Sequence, residues 1–160
     1  MAVSNTLSGE MHHMVGFTVG KEEFCVDILK VQEIIRMIGI TKIPNAPDYA
    51  EGVINLRGRV IPVIDFRKRF NLPEAGEEKD ESRRIVVVDI VGNTIGLIVD
   101  EVSHVIKLEN DSVSPTPETV KTSGGDCFSG IGRMDDKLII ILDVEGMFGE
   151  GEFAWAEEAA

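Results

Sequence analysis

The chain has 160 residues, 43% of them hydrophobic and 28% charged, proportions that fit one ordinary globular domain or two very small ones. Lys and Arg number 16 against 28 Asp and Glu, a net charge of −12 that repels polyanions over most of the surface and makes nucleic acid and anionic membrane poor partners. The longest apolar run, Leu138 to Leu142, falls far short of the roughly 20 residues of a spanning helix, so no bilayer insertion is expected.

Residues 1–12 read as a tail without Lys or Arg or a signal-length apolar stretch, which points to the cytoplasm and to free thiols at Cys25 and Cys127. With 18 Val and 18 Ile against 8 Leu, strands are expected to dominate. Val15, Phe17 and Val19 alternate as a first strand, Gly20 turns, and Phe24 to Asp27 form a second. Ile28, Val31, Ile34 and Ile35 have helical spacing over too short a stretch for an independent helix, so a helical turn is expected to lead into a third strand ending at Ile43-Pro44. A hairpin turning at Arg57-Gly58 follows. Pro62 lacks a ladder donor and predicts an edge strand or bulge, and Asp65 is placed to cap a final helical turn.

Beyond the acidic linker from Glu74 to Glu81 the same order of signals returns. Ile85 to Val91 and Ile95 to Val99 flank a turn at Gly92-Asn93, and the third strand ends near Ser114-Pro115. The last hairpin turns at Asp135-Asp136. Val31 and Val102, Ile34 and Val105, and Ile35 and Ile106 are each 71 residues apart; Gly52 and Gly130, Asp65 and Asp143, and Phe70 and Phe148 are each 78 apart. Two copies of one β unit, with a longer loop within residues 115–126 of the second, account for both offsets. The expected fold is all-β, two five-stranded barrels sharing an apolar core, because a unit of about 65 residues is marginal alone. The expected subdomains are residues 14–73 and 83–148 of a body spanning 13–148, followed by an acidic tail, 149–160, whose Phe153 and Trp155 are candidates to cap a barrel.

The chemistry-bearing motifs are sparse. Gly130 and Gly132 begin a GxGxxG, but Asp135 stands at the third glycine position and a strand follows, where a phosphate site needs a helix. His12 and His13 sit in the tail without a carboxylate or Cys partner, and His104 reads as a surface or rim residue. No constellation supports an enzyme and no cofactor is implied. Arg57, Arg59, Arg67, Lys68 and Arg69 gather basic charge within thirteen residues, either as a solvated face balanced by nearby Glu or as a docking patch for an acidic protein. Glu33 and Arg57 are expected to meet as an ion pair when the barrel closes.

The stretches FTVGKEEFCVDILKVQEI, IPNAPDYAEGVINLRGRVIPVIDFRKRF and GLIVDEVSHVIKL closely resemble the CheW family of bacterial chemotaxis coupling proteins, over about residues 14–148. The resemblance implies SH3-like barrels and an adaptor without a catalytic site. Its partners would be the regulatory domain of the histidine kinase CheA and the cytoplasmic tip of methyl-accepting chemotaxis receptors, which would recruit it to membrane-associated arrays. It implies a receptor-binding groove at Val31, Glu33, Arg57 and Val105, against an ordinary core role for the two valines. It implies kinase binding at Ile40, Thr41, Lys42, Ile43, Pro44 and Gly52. His104 departs from the small polar residue expected beside Val105. A ligand-binding double barrel is the alternative reading.

Overall fold

The computed structural model describes residues 11–72, 80–90, 92–109, 112–114, 128–134 and 136–146. Its strands are β1 (Met11–Val19), β2 (Glu22–Asp27), β3 (Val31–Arg36), β4 (Ala50–Leu56), β5 (Arg59–Asp65), β6 (Arg84–Ile90), β7 (Asn93–Val99), β8 (Glu101–Glu109), β9 (Val113–Ser114), β10 (Phe128–Met134) and β11 (Lys137–Leu142). A single helical turn, α1 (Phe66–Arg69), follows β5. Cys127, Phe148, Phe153, Trp155 and Asp135 lie outside the described residues, as does most of the acidic linker.

One sheet has the order β3-β6-β7-β5-β4 and the other β8-β1-β2-β11-β10-β9. Both curl shut in the same way. After β3 the chain returns to β4, where Thr41 and Val53 exchange backbone hydrogen bonds at 2.9 Å; after β8 it returns as β9, where Ser114 pairs with Ile131 of β10. Val53 and Ile131 are repeat mates, so the two closures are one device used twice. Gly52 and Gly130, also mates, stand at the point of closest approach. A Cβ on Gly52 (φ +141°) would meet the Thr41 carbonyl oxygen at 2.1 Å, and one on Gly130 would meet the Ser114 carbonyl oxygen at 2.8 Å. The glycines of the partial GxGxxG are therefore explained by packing.

The barrels do not follow the linker. β6 and β7, from the second copy, complete the barrel of β3 to β5, and β1 and β2, from the first, complete that of β8 to β11. Sequence-contiguous subdomains at 14–73 and 83–148 are thus replaced by an exchange of hairpins between copies. Its physical basis is two short parallel pairings, Val63–Asp65 with Gly96–Ile98 and Ile140–Leu142 with Phe24–Val26, each joining strands far apart in sequence. The last two residues of the expected tail belong to β1, where Met11 and His12 pair with Glu109 and Leu108. Pro62 lies on an interior strand: β4 is the edge, and the β5–β7 ladder begins only at Val63, one residue beyond the missing donor.

Three apolar clusters result. Ile54, Ile61, Val63, Ile85, Val87 and Ile98 fill the first barrel, and Met14, Cys25, Ile106, Leu108, Ile139 and Ile141 fill the second. The largest cluster joins both, with Phe17, Phe24, Phe66, Phe70 and Phe128 in mutual ring contact at centroid separations of 4.7–6.2 Å. Buried in this way, the Cys25 thiol is free and its pKa is pushed up to about 12, which removes thiolate reactivity.

The capping aspartates act as expected. Asp65 accepts from the Arg67 and Lys68 amides at 3.0 and 3.4 Å, and Asp143 accepts from the Glu145 amide at 3.1 Å to start the 3-10 turn Val144–Gly146. The helical spacing after β2 yields only a 3-10 turn, Ile28–Lys30, and its mate in the second copy is a bend at Asp100 between β7 and β8. The first copy's third strand ends at Arg36, and only Thr41 resumes pairing, so Ile43-Pro44 lies outside it.

Candidate functional site

A β-bulge organises the exposed face of each barrel. On β3 the register against β6 slips between Val31 and Glu33, so Val31 packs on the shared core while Ile35, of the same parity, packs inside the first barrel. Strand residues of equal parity share a face unless an extra residue intervenes. β8 repeats this: its register against β1 slips between Val105 and Val102, Val102 packs on the shared core and Ile106 inside the second barrel. In the regular register after each slip the outward-facing apolar positions are Ile34 and Val105, 40% and 47% exposed.

Glu33 stands on the first bulge and Arg57 at the tip of the β4–β5 hairpin, where Arg57 (φ 54°) and Gly58 (φ 85°) form a two-residue turn with left-handed backbone at both positions. The Asn55 side chain accepts from the Gly58 amide at 2.9 Å and fixes the turn. β3 and β4 are at opposite ends of the sheet order, and curling of the sheet brings Arg57 onto Glu33 as a two-pronged ion pair, Nη2 to Oε1 at 2.9 Å and Nη1 to Oε2. The guanidinium holds the Glu33 carboxyl below its ordinary range, and the carboxylate raises Arg57 in turn. In the second copy the residue 71 positions after Glu33 is His104, which is exposed.

Of the four residues expected to face a receptor, three are displayed together or singly at these bulges: Glu33 with Arg57, and Val105. Val31 is turned to the seam beneath them. Its place as an exposed apolar side chain is taken by Ile34, which the offset of 71 from Val105 marks in the sequence. The second hairpins carry another such pair, Val60 at 41% and Leu138 at 61% exposure, again mates.

The segment expected to face a kinase is mixed. Thr41, Lys42 and Pro44 are exposed, whereas Ile40 packs against the first barrel's interior, Ile43 against the shared core, and Gly52 is buried. Barrel closure at Thr41 leaves Ile40 and Ile43 half-buried, and Ile38, 41% exposed, is the open isoleucine of the segment. Gly52 acts through the backbone approach it permits.

The five clustered basic residues separate along β5. Arg57 and Arg59 sit at its start and Arg67 to Arg69 past its end, about 20 Å apart at strand rise. Each has an internal partner: Arg59 donates to the Thr94 hydroxyl at 3.0 Å, Lys68 pairs with Glu51 at 2.8 Å, Arg67 lies 3.9 Å from Asp65, and Arg69 stacks over Tyr49 and Phe70. This is the internally balanced face, not one continuous patch. Lys137, the mate of Arg59, reaches Glu23, the mate of Thr94, at 3.6 Å, so each hairpin tip grips the hairpin contributed by the other copy.

A family model described as a CheW-like domain matches residues 13–152. The chain belongs to the CheW family. It is 35% identical over its whole length to Chemotaxis protein CheW of Klebsiella aerogenes, covering 96% of that protein. It is 36% identical to Chemotaxis protein CheW of Helicobacter pylori over 85% of this chain and 81% of that one. The crystal structure of scaffolding protein TtCheW from Thermoanaerobacter tengcongensis superimposes with a TM-score of 0.81 at 39% identity, covering 89% of this chain and 96% of that one. This CheW-family fold is nearly all β, and among the described residues no helix is long and apolar enough to cross a membrane.

Proposed function

We propose that this chain is a chemotaxis adaptor, coupling methyl-accepting receptors to the histidine kinase CheA in membrane-associated arrays from the cytoplasmic side, and that it performs no catalysis. The observation that carries this reading is family membership across residues 13–152, together with similarity over 89% of the chain to a protein named as a scaffold. The surface geometry supports it. The Glu33–Arg57 clasp and the bulge residue Val105 form the receptor-binding elements, with Val31 backing them from the seam. A clasp this exposed contributes little to stability, and its value lies in fixing how a helix is oriented against the apolar side chains beside it. Kinase binding is assigned to Thr41, Lys42 and Pro44, held in place by Ile40, Ile43 and Gly52 beneath.

Co-sedimentation with receptor-tip fragments and CheA regulatory domain tests the assignment. Arg57→Glu is expected to weaken receptor capture by about tenfold or more while kinase capture persists, and Lys42→Glu to do the reverse. Failure of the unaltered chain to bind either protein would remove the adaptor function. Unchanged receptor capture by a folded Arg57→Glu chain would remove the clasp from the site.

A further inference from the structure

Among the described residues two polar side chains are buried: Asp65, which caps α1, and Thr94, near the start of β7. Thr94 shares a face of β7 with Gly96 and Ile98. That face turns into the first barrel, since Ile98 belongs to its apolar filling and a Cβ on Gly96 would meet the Ile85 side chain at 2.7 Å. A hydroxyl buried there needs a partner, because leaving it without a hydrogen bond is costly. Two side chains supply one: Arg59 donates from Nη2 to Thr94 Oγ1 at 3.0 Å, and Gln32 donates from Nε2 to the same oxygen at 3.4 Å.

Both donors adjoin the clasp. Gln32 precedes Glu33 at the register slip of β3, and Arg59 closes the hairpin turn opposite Leu56, two residues past Arg57. Glu33 and Gln32 on one strand and Arg57 and Arg59 on the other therefore make a ring with two joints, the ion pair outside and the Thr94 hydroxyl inside. Because β6 lies between β3 and β7 in the sheet, Thr94 ties the bulge to the hairpin through a third element. The outer joint is weak by itself: Arg57 is 70% exposed, and an exposed ion pair is screened by solvent and costs side-chain entropy. The inner joint has a buried acceptor and a guanidinium donor, which makes it a charge-assisted bond. The second copy offers an internal comparison, since the mates of Gln32, Arg59 and Thr94 are Ser103, Lys137 and Glu23. There Lys137 and Glu23 stand 3.6 Å apart as an exposed pair, and His104 replaces Glu33. The buried joint occurs in the copy that carries the clasp.

We propose, resting on the assignment of the clasp to receptor binding, that Thr94 is a positioning residue whose hydroxyl sets the geometry in which Glu33 and Arg57 meet the receptor. Thr94→Val keeps the shape and removes the acceptor. Capture of receptor-tip fragments is expected to weaken about three- to tenfold, the scale of one lost hydrogen bond, with far-UV circular dichroism and CheA capture retained. Thr94→Ser, which keeps the hydroxyl, is expected to restore capture. Arg59→Met cuts the same joint from its exposed side and is expected to match Thr94→Val. Carbon-detected titration of the Glu33 carboxyl reads the clasp with no partner present. Its midpoint is expected to rise in Thr94→Val toward that of Arg57→Ala, and to rise no further when the two substitutions are combined, as coupled positions require. A midpoint that stays in place in Thr94→Val would overturn the proposal, and so would a loss of capture that Thr94→Ser fails to restore. Receptor capture insensitive to Arg57→Ala would remove the receptor assignment instead, and the rise in the Glu33 midpoint would then carry the positioning role alone.

Discussion

The two barrels close by the same backbone contact, yet they differ in how tightly it is made. In the first, Gly52 has a left-handed backbone and would bring a Cβ to 2.1 Å from the Thr41 carbonyl oxygen; in the second, Gly130 leaves 2.8 Å to that of Ser114. The tighter closure belongs to the barrel whose closing segment, Ile40 to Pro44, is the proposed kinase-binding surface. The difference suggests a test by matched substitution. Gly52→Ala is expected to cost more than about 4 kcal/mol, since both the clash and the backbone angle oppose it. Gly130→Ala should cost about 1–3 kcal/mol, as overpacking alone. Urea unfolding of the two variants measures both, and equal costs would show that the closures are mechanically equivalent.

The helical caps give a smaller contrast of the same kind. Asp65 is 4% exposed, accepts from two amides and starts a helical turn bearing Phe66 and Phe70 of the aromatic seam. Its mate Asp143 is half-buried, and its side chain accepts from the Glu145 amide at the start of a 3-10 turn. Replacement by Ala is expected to cost about 1–2 kcal/mol at position 65 and about 0.5–1 kcal/mol at position 143. Asn at either position should recover most of the loss, because its side-chain oxygen can accept the same bonds. Thermal unfolding of the four variants checks the order, and a larger loss at 143 would break it.

What could be read from residues alone was whatever recurs locally. The offsets of 71 and 78 located both hairpins and both caps, because alternation and turn chemistry act over a few residues, whereas the stretches that hold the two bulges read as short helical turns. The hairpin exchange was hidden, since a parallel pairing such as Val63–Asp65 with Gly96–Ile98 leaves no mark in either strand's own pattern. The facing of Val31 was hidden too. Parity places it with Ile35, and only the register slip against β6 separates the face each one takes. The half-burial of Ile40 and Ile43 was hidden for a related reason: it depends on where the chain rejoins β4, a contact fixed by the shape of Gly52 and not by the segment's own composition. The Glu33–Arg57 pair succeeded because barrel closure forces the hairpin tip toward the third strand whichever copy supplies the remaining strands.

The smallest expected effect concerns that pair, at a position where the two copies carry different residues: Glu33 occupies the first bulge and His104 the second. Arg57 hydrogen-bonds the Glu33 carboxylate and holds its pKa below the ordinary value of 4.5. A carboxyl lowered in the folded state favours folding above its unfolded pKa, and that contribution disappears as the pH falls through the lowered folded value. The clasp is therefore intact at neutral pH and opens only in acid, on the low side of 4.5. Carbon-detected titration of the Glu33 carboxyl is expected to show a midpoint below that of an exposed Glu, moving back up in Arg57→Ala. Because the pair is exposed, the same substitution should leave the neutral-pH unfolding midpoint nearly unchanged. A titration unaffected by loss of Arg57 would mean that the clasp does not persist in solution, and the two bulges would then differ in composition without differing in mechanics.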